Sequence, residues 1–254
     1  IKGGVLFTTR GCTIGCKFCQ TPAFCPSVSK IPLESIKEVL EYYKKVGVKF
    51  VGIADENFGL IRYHADDVVS LLNDYGFYWG CMARADFVLN KLDDWCEGRF
   101  LGAAIGIENF NQSVLDSVNK KMSVDTVVEF IKEIKARKRG VIGYYMIGFE
   151  DETSESIKKD MIRLASLGLD AAQICILTPL PQTPLWQEID EKYGIFEKDW
   201  SKFDTKHLVW NHPNVSPEQM HKLLDYGLKK VNSKLTMTRA IINLFRLIHR
   251  MKKI

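Results

Sequence analysis

The chain has no apolar run of 18 residues, so no segment reads as a membrane-spanning helix. Nothing at its start has the zones of a signal peptide. It has no internal repeat and no low-complexity tract, which argues against solenoid and linker architectures. Charge of either sign is not in excess: 35 Lys and Arg stand against 31 Asp and Glu, for a net charge of +4. No basic stripe interleaved with aromatics runs through its body, so no nucleic-acid partner is expected. A disulfide framework fits badly, because the seven cysteines are odd in number and three of them crowd into residues 12–19. That usage points to a reducing, cytoplasmic compartment in which cysteine serves a metal.

What is present is ordinary for a globular enzyme, with 46% hydrophobic and 26% charged residues among 254. β-Branched and aromatic runs at 4–9, 48–54, 77–83, 102–107, 141–147 and 171–177 predict strands. Helical spacing predicts helices near 33–46, 64–75, 88–97, 123–138, 154–167 and 183–192, as in Ile36, Val39, Leu40 and Tyr43. Ser123 is the expected N-cap of the fourth of these, with Gly140 past its end. Six strand-then-helix units in a row imply an α/β fold with parallel strands, helices outside, and chemistry at the carboxyl ends of the strands. The pattern breaks after residue 195. An irregular stretch (196–216) holds Asp204, His207, Trp210 and His212, which could close over a substrate. A helix at 217–231 and a basic amphipathic tail at 235–254 follow. Residues 1–195 and 196–254 are therefore read as two parts. The chain opens on Ile1, already at a strand, so a further domain upstream is expected.

The first strand leads into Thr9-Arg10-Gly11-Cys12-Thr13-Ile14-Gly15-Cys16-Lys17-Phe18-Cys19. Three thiols at C-x3-C-x2-C can wrap one face of an iron–sulfur cubane, with Gly11 and Gly15 allowing the tight turns. Three ligands for four irons leave one iron open to a small molecule. The alternative is a zinc knuckle, which would need a second C-x2-C or C-x2-H pair that the chain lacks.

This motif, with an aromatic before its third cysteine, resembles the signature of the radical S-adenosylmethionine superfamily. The resemblance covers roughly residues 4–195. It implies a partial (β/α)6, TIM-like barrel with a C-terminal helical extension. It also implies a 4Fe–4S cluster on Cys12, Cys16 and Cys19, and S-adenosylmethionine on the open iron. Reductive cleavage of the sulfonium would release a 5′-deoxyadenosyl radical that abstracts hydrogen from a substrate. Phe18 is then expected near the cluster edge and the adenine.

The other strand ends supply the remaining candidates. Asp55 and Glu56 follow the second strand, and the resemblance assigns the methionine amino group to Glu56, with Asp55 as a second candidate; an exposed acidic turn is the bland reading. Arg84, after the third strand, is a fork for the methionine carboxylate or the substrate, or else a salt-bridge partner of Asp86 or Glu56. Glu108, after the fourth, is implied at the ribose or methionine end, and as a carboxylate at such a place it requires a partner. Met146 and Gly148 on the fifth and Leu177 on the sixth are implied to flank adenine. Cys81 and Cys175 read as core packing, Cys96 as half-buried, and Cys25 as packing or substrate contact.

Thr178-Pro179-Leu180-Pro181-Gln182-Thr183-Pro184-Leu185 resembles the cobalamin-linked branch of the superfamily. That branch implies cobalamin as a further cofactor. It also implies methylation, cyclisation or C–C bond formation on a small-molecule or lipid substrate, with a ferredoxin or flavodoxin as electron donor. Two alternatives stand beside it: a cobalamin-independent enzyme, such as a methylthiotransferase-like modifier of RNA or protein, and a non-catalytic metal module. The tail at 235–254 is either a helix packed across the barrel or one lying on a membrane surface.

Overall fold

A computed structural model describes residues 2–251, without the side chains at 235, 244, 247, 248, 250 and 251. The readings made for Ile1, Lys252 and Lys253, and for the side chains of Leu235, Leu244, Ile248, Arg250 and Met251, lie outside what is described. Six parallel strands form one curled sheet: β1 (Gly3–Leu6), β4 (Phe50–Ile53), β5 (Tyr78–Ala83), β6 (Phe100–Glu108), β7 (Gly140–Ile147) and β8 (Ala171–Ile176), in that order. Between them run α1 (Thr21–Phe24), α2 (Leu33–Lys45), α3 (Arg62–Asp74), α4 (Ala85–Leu89), α5 (Leu92–Glu97), α6 (Gln112–Ser117), α7 (Val124–Ala136) and α8 (Ser154–Ser166). After β8 come α9 (Pro184–Lys192), α10 (Pro217–Val231) and α11 (Lys234–Met251). This is the expected partial barrel with a helical extension.

Period-two burial shows how the sheet divides its faces. Val51, Ile53, Trp79, Cys81, Ala103, Ile105, Ile107, Val141, Tyr145 and Ile147 are buried among the helices in one large core. The intervening positions line the concave face. Phe50, Tyr78 and Leu101 close its lower end as a separate small cluster. Above them Val5, Gly52, Gly80, Gly102 and Gly140 lie in register across five strands.

Local chemistry sets the element ends. Ser123 caps α7 by accepting from Thr126 N, and α8 begins with a reciprocal capping box of Thr153 and Ser156. Helix α7 stops earlier than expected, at Ala136, because Lys138 adopts a left-handed conformation (φ 56°) and Gly140 already belongs to β7. The helix expected at 88–97 is two short ones, α4 and α5, divided at Asn90 and Lys91.

The strand expected at 4–9 also divides. β1 ends at Leu6, and Thr9–Arg10 (β2) pairs antiparallel with Ser29–Lys30 (β3) in a small ribbon. The segment after residue 195 is not separate in packing. Ile195, Leu208, Val209, Trp210, Val215 and Met220 belong to the same core as the barrel helices. Its Thr205 carbonyl accepts from Ile176 N, which covers the outer edge of β8.

Candidate active site

The turn that splits the first strand fixes the cysteine loop. Asp55 is fully buried, and both its oxygens are occupied. Oδ1 accepts from Thr8 N at 2.6 Å, and Oδ2 accepts from Thr8 Oγ1 at 2.5 Å and Thr9 Oγ1 at 2.7 Å. The Thr8 carbonyl is held in turn by Ile31 N and by Nε2 of buried His64. Asp55 continues the buried alternation of Ile53, whereas Glu56 is exposed on the other face. Glu56 Oε2 accepts from Gly11 N at 3.1 Å, and its other oxygen has no partner among the described residues. Gly11 has φ 91°, and a Cβ there would run into the Ser27 carbonyl, so only glycine fits this corner.

The loop is clamped from two further sides. On one, Lys17 N donates to Val118 O (3.0 Å), Asn119 Nδ2 to Gly15 O (2.8 Å) and Lys121 Nζ to Ile14 O (3.0 Å). On the other, Leu185 N donates to Lys17 O (3.1 Å), Gln20 Nε2 to Pro181 O (3.0 Å) and Lys17 Nζ pairs with Glu188 at 2.7 Å. The proline-rich turn after β8 therefore serves as a backstop for the cysteines. Thr183 stiffens it, capping α9 through Trp186 N and donating to the Leu180 carbonyl.

Arg84 governs the first clamp. Its guanidinium is buried, forks onto Asp86 (3.0 and 2.9 Å) and donates to the carbonyls of Lys120 and Lys121, both at 2.6 Å. The Asp86 pair, one of the readings of Arg84, is present in the structure. Glu108 has its required partner: Lys120 Nζ lies 2.5 Å from its Oε1, and both side chains are buried. A β-bulge between Gly106 and Glu108, with Glu108 at φ 63°, aims the carboxylate. A Cβ at Gly106 would strike both Glu108 Oε1 and Lys120 Nζ, so this glycine lets the pair close. Glu108 Oε2 has no partner among the described residues.

Cys12, Cys16 and Cys19 are free, half-buried thiols. Burial pushes the Cys16 thiol above its ordinary value; Lys120 pulls it down, Glu108 and Cys19 push it up, and Arg84 pulls it down. Among the described residues no three His, Cys, Asp or Glu side chains converge to hold a single metal ion. A cubane makes a different demand, one thiolate for each of three irons from a fixed backbone. The donor set and its anchored loop fit that demand.

At the fifth and sixth strand ends the expected residues divide. Met146 is half-exposed and alternates with buried Tyr145 and Ile147, which puts it on the concave face. Gly148 lies in the core instead, where a Cβ would stand 3.0 Å from Met220 of α10. Leu177 is buried, with its N–H on the Ile147 carbonyl and its carbonyl accepting from Trp210 Nε1 at 3.2 Å. Phe18 is half-buried and packs on the core. The irregular segment is tied down as well. Trp210 is fully buried, His212 Nε2 meets the Phe149 carbonyl at 2.9 Å, and His207 pairs with Asp204 at 3.0 Å.

The family model of the radical SAM superfamily matches residues 6–165. The chain belongs to the radical SAM superfamily. Its members use a 4Fe–4S cluster and S-adenosylmethionine. Among curated radical SAM relatives, an uncharacterised methyltransferase of Pyrococcus horikoshii is 26% identical over 230 residues, 87% of this chain and 49% of that protein. Bacteriochlorophyllide d C-12(1)-methyltransferase of Chlorobaculum tepidum is 24% identical over 233 residues, 88% of this chain and 50% of that protein. The chain thus spans about half the length of these relatives. The radical SAM methyltransferase TsrM of Kitasatospora setae shares the fold. Its structure with cobalamin and [4Fe–4S] bound has a TM-score of 0.66 at 16% identity, covering 74% of this chain and 37% of that one. Its structure with tryptophan and a SAM analogue has a TM-score of 0.68 at 14% identity, covering 97% and 52%.

One carboxylate of this radical SAM barrel escapes sequence reading. Glu152 is buried and accepts from Gly148 N (2.5 Å), Phe149 N (2.8 Å) and Asn109 Nδ2 (3.0 Å), which shapes the turn after β7. Its only signal is an acid four residues past a strand-ending glycine. Burial pushes its carboxyl up to about 7 against the pull of those three bonds, and Asp160 adds to the rise. The folded state therefore holds this proton more tightly than the unfolded chain. The stability it contributes is full below the ordinary glutamate range and is lost as pH rises through about 7. His212, whose Nε2 meets the Phe149 carbonyl of that turn, has its pKa lowered by burial, so its contribution runs oppositely and is lost as pH falls. Comparing Glu152→Gln with the parent isolates the carboxylate. In chemical denaturation, the fall in stability between about pH 5 and 8 should be shallower in the variant. Equal slopes would refute the assignment.

Proposed function

We propose that this chain is the radical core of an enzyme that modifies an unactivated carbon of a small molecule, with Cys12, Cys16 and Cys19 as the cluster ligands. When bound, the cluster and S-adenosylmethionine supply reductive cleavage of the sulfonium to a 5′-deoxyadenosyl radical. The observation that carries this reading is a C-x3-C-x2-C loop anchored from three sides at the carboxyl mouth of a half-barrel.

Glu56 holds Gly11 with one oxygen and offers the other to the methionine ammonium. Glu108, fixed by Lys120, offers Oε2 to a ligand hydroxyl or ammonium. Met146 gives an apolar wall for the adenine. Phe18, Gly148 and Leu177 set the frame behind these groups. Asp55 and Arg84 act as positioning residues, because their hydrogen bonds go to the Thr8–Thr9 turn that leads into the cysteine loop and to the carbonyls of Lys120 and Lys121 beside it.

Below the mouth, the concave-face strand positions are small or uncharged: Val5, Gly52, Gly80, Met82, Ala104, Ile142, Tyr144 and Gln173. These positions offer a substrate apolar contact and neutral hydrogen-bonding groups rather than an ion pair. The names of the relatives and the Thr178–Leu185 turn favour methyl transfer in partnership with cobalamin, held by a domain outside this chain. A ferredoxin- or flavodoxin-type protein is the matching electron donor.

The test is anaerobic reconstitution with iron and sulfide, then S-adenosylmethionine and dithionite, reading 5′-deoxyadenosine. Product that depends on all three cysteines supports the reading; zinc uptake without product overturns it. Glu56→Gln keeps the bond to Gly11 through its amide oxygen but loses the charge. Affinity for S-adenosylmethionine should fall about tenfold with iron content unchanged. Equilibrium binding to the reconstituted variant checks this.

A further inference from the structure

The last helix is the least accounted-for surface. Asn232 pins the chain to the start of β8, bonding Ala172 N at 2.8 Å and Ala172 O at 2.6 Å. α11 therefore sets off from the end of the strands opposite the cysteine loop, in contact with β7 and β8. Along it Met237 is 51%, Ile241 55%, Ile242 42% and Phe245 63% exposed. Met237, Ile241 and Phe245 recur every four residues, so they share one face. Arg239 and Arg246, seven apart and both exposed, fall on the other side.

Charge is distributed just as unevenly. Residues 226–254 contain eight Lys and Arg and no Asp or Glu, which leaves the rest of the chain at −4 although the whole is +4. None of the ion pairs among the described residues involves α11. Among the described residues no helix is long and apolar enough to cross a membrane.

We propose that α11 is an interfacial anchor for an anionic lipid surface, lying in the plane of the bilayer with Met237, Ile241 and Phe245 in the acyl boundary and its basic side chains among the headgroups. An apolar stripe backed by arginines, without a single acid to repel the surface, is the composition such binding needs. A nucleic acid would meet the same positive charge but would leave the apolar stripe in water. Because the helix departs from the end away from the mouth, it tethers the barrel and leaves the mouth free for substrate and partner domain. The proposal does not depend on the radical chemistry.

The experiment is co-sedimentation of the full chain with vesicles of phosphatidylcholine alone, and of equal parts phosphatidylcholine and phosphatidylglycerol. Binding to the anionic vesicles should be at least tenfold tighter, on the order of what a few basic residues contribute, and should weaken in high salt. The double variant Ile241→Glu, Phe245→Glu should stay in the supernatant while its circular dichroism matches the parent. A parent that binds neither vesicle overturns the proposal. So does vesicle binding that the double variant retains. So does lipid-free dimerisation, or binding to a short RNA duplex, that replaces vesicle binding and disappears in the double variant.

Discussion

Cys16→Ala should give a folded chain that holds no cluster and releases no detectable 5′-deoxyadenosine. The two halves of that expectation have separate causes. Gly15 O is fixed by Asn119, Lys17 N by Val118 O, and the Cys16 carbonyl accepts from Cys19 N at 3.0 Å. The backbone at position 16 is therefore held by its neighbours, and alanine removes the thiol without removing an anchor. The melting temperature should hardly move, whereas iron and sulfide per chain after anaerobic reconstitution should drop to the level of an adventitious contaminant. Full iron content with normal S-adenosylmethionine cleavage would overturn the ligand assignment. A variant that also melts early would show that the thiol itself supports the fold.

Asp55→Ala should act in the reverse way, on the fold first and the chemistry second. The substitution leaves Thr8 N and two threonine hydroxyls without their acceptor in a fully buried place. Unsatisfied buried donors of this kind, lost together with a charged partner, cost roughly 3–5 kcal/mol. For a chain of this length that lowers the melting temperature by about 10 °C. Asp55→Asn keeps one oxygen for Thr8 N, and its amide can donate to hydroxyls that turn to accept, so it should recover much of the loss. The reading as a positioning residue makes a further demand. At a temperature where Asp55→Asn is folded, its S-adenosylmethionine affinity should stay near the parent's, unlike that of Glu56→Gln. A tenfold weakening in Asp55→Asn would place Asp55 on the ligand instead.

These two adjacent carboxylates also show where sequence stops being legible. The cysteine spacing, the strand–helix alternation and the placement of Glu108 at a strand end could all be read from local pattern, because each is set by residues within a few positions of one another. For Asp55 and Glu56 the resemblance puts Glu56 first and Asp55 second, without a physical ground for telling them apart. What separates them is the alternation running on from Ile53, which buries position 55 and leaves position 56 open. That signal was in the sequence, but it needed the strand end to be known to the residue.

The clamp was less accessible still. Arg84 reaches carbonyls at 120 and 121, and Asn119 and Lys121 reach carbonyls at 15 and 14. A backbone oxygen leaves no mark in a side-chain pattern. Glu152 stayed hidden for the same reason, since two of its three partners are backbone amides. Gly148 and Leu177 fell at the expected strand ends, yet tertiary packing against Met220 and Trp210 fixed which way they face.

The clamps also set an order of events during synthesis. The cysteines precede nearly all of the barrel, but their loop is tied to residues 104, 107, 161 and 171 positions further on. Contacts of such long range form late, after the intervening chain has paid its loop-closure entropy. Until Pro181 and Glu188 have emerged from the ribosome, the three thiols sit on a segment with no backstop. On the proposed ligation by Cys12, Cys16 and Cys19, cluster delivery would follow closure of the barrel.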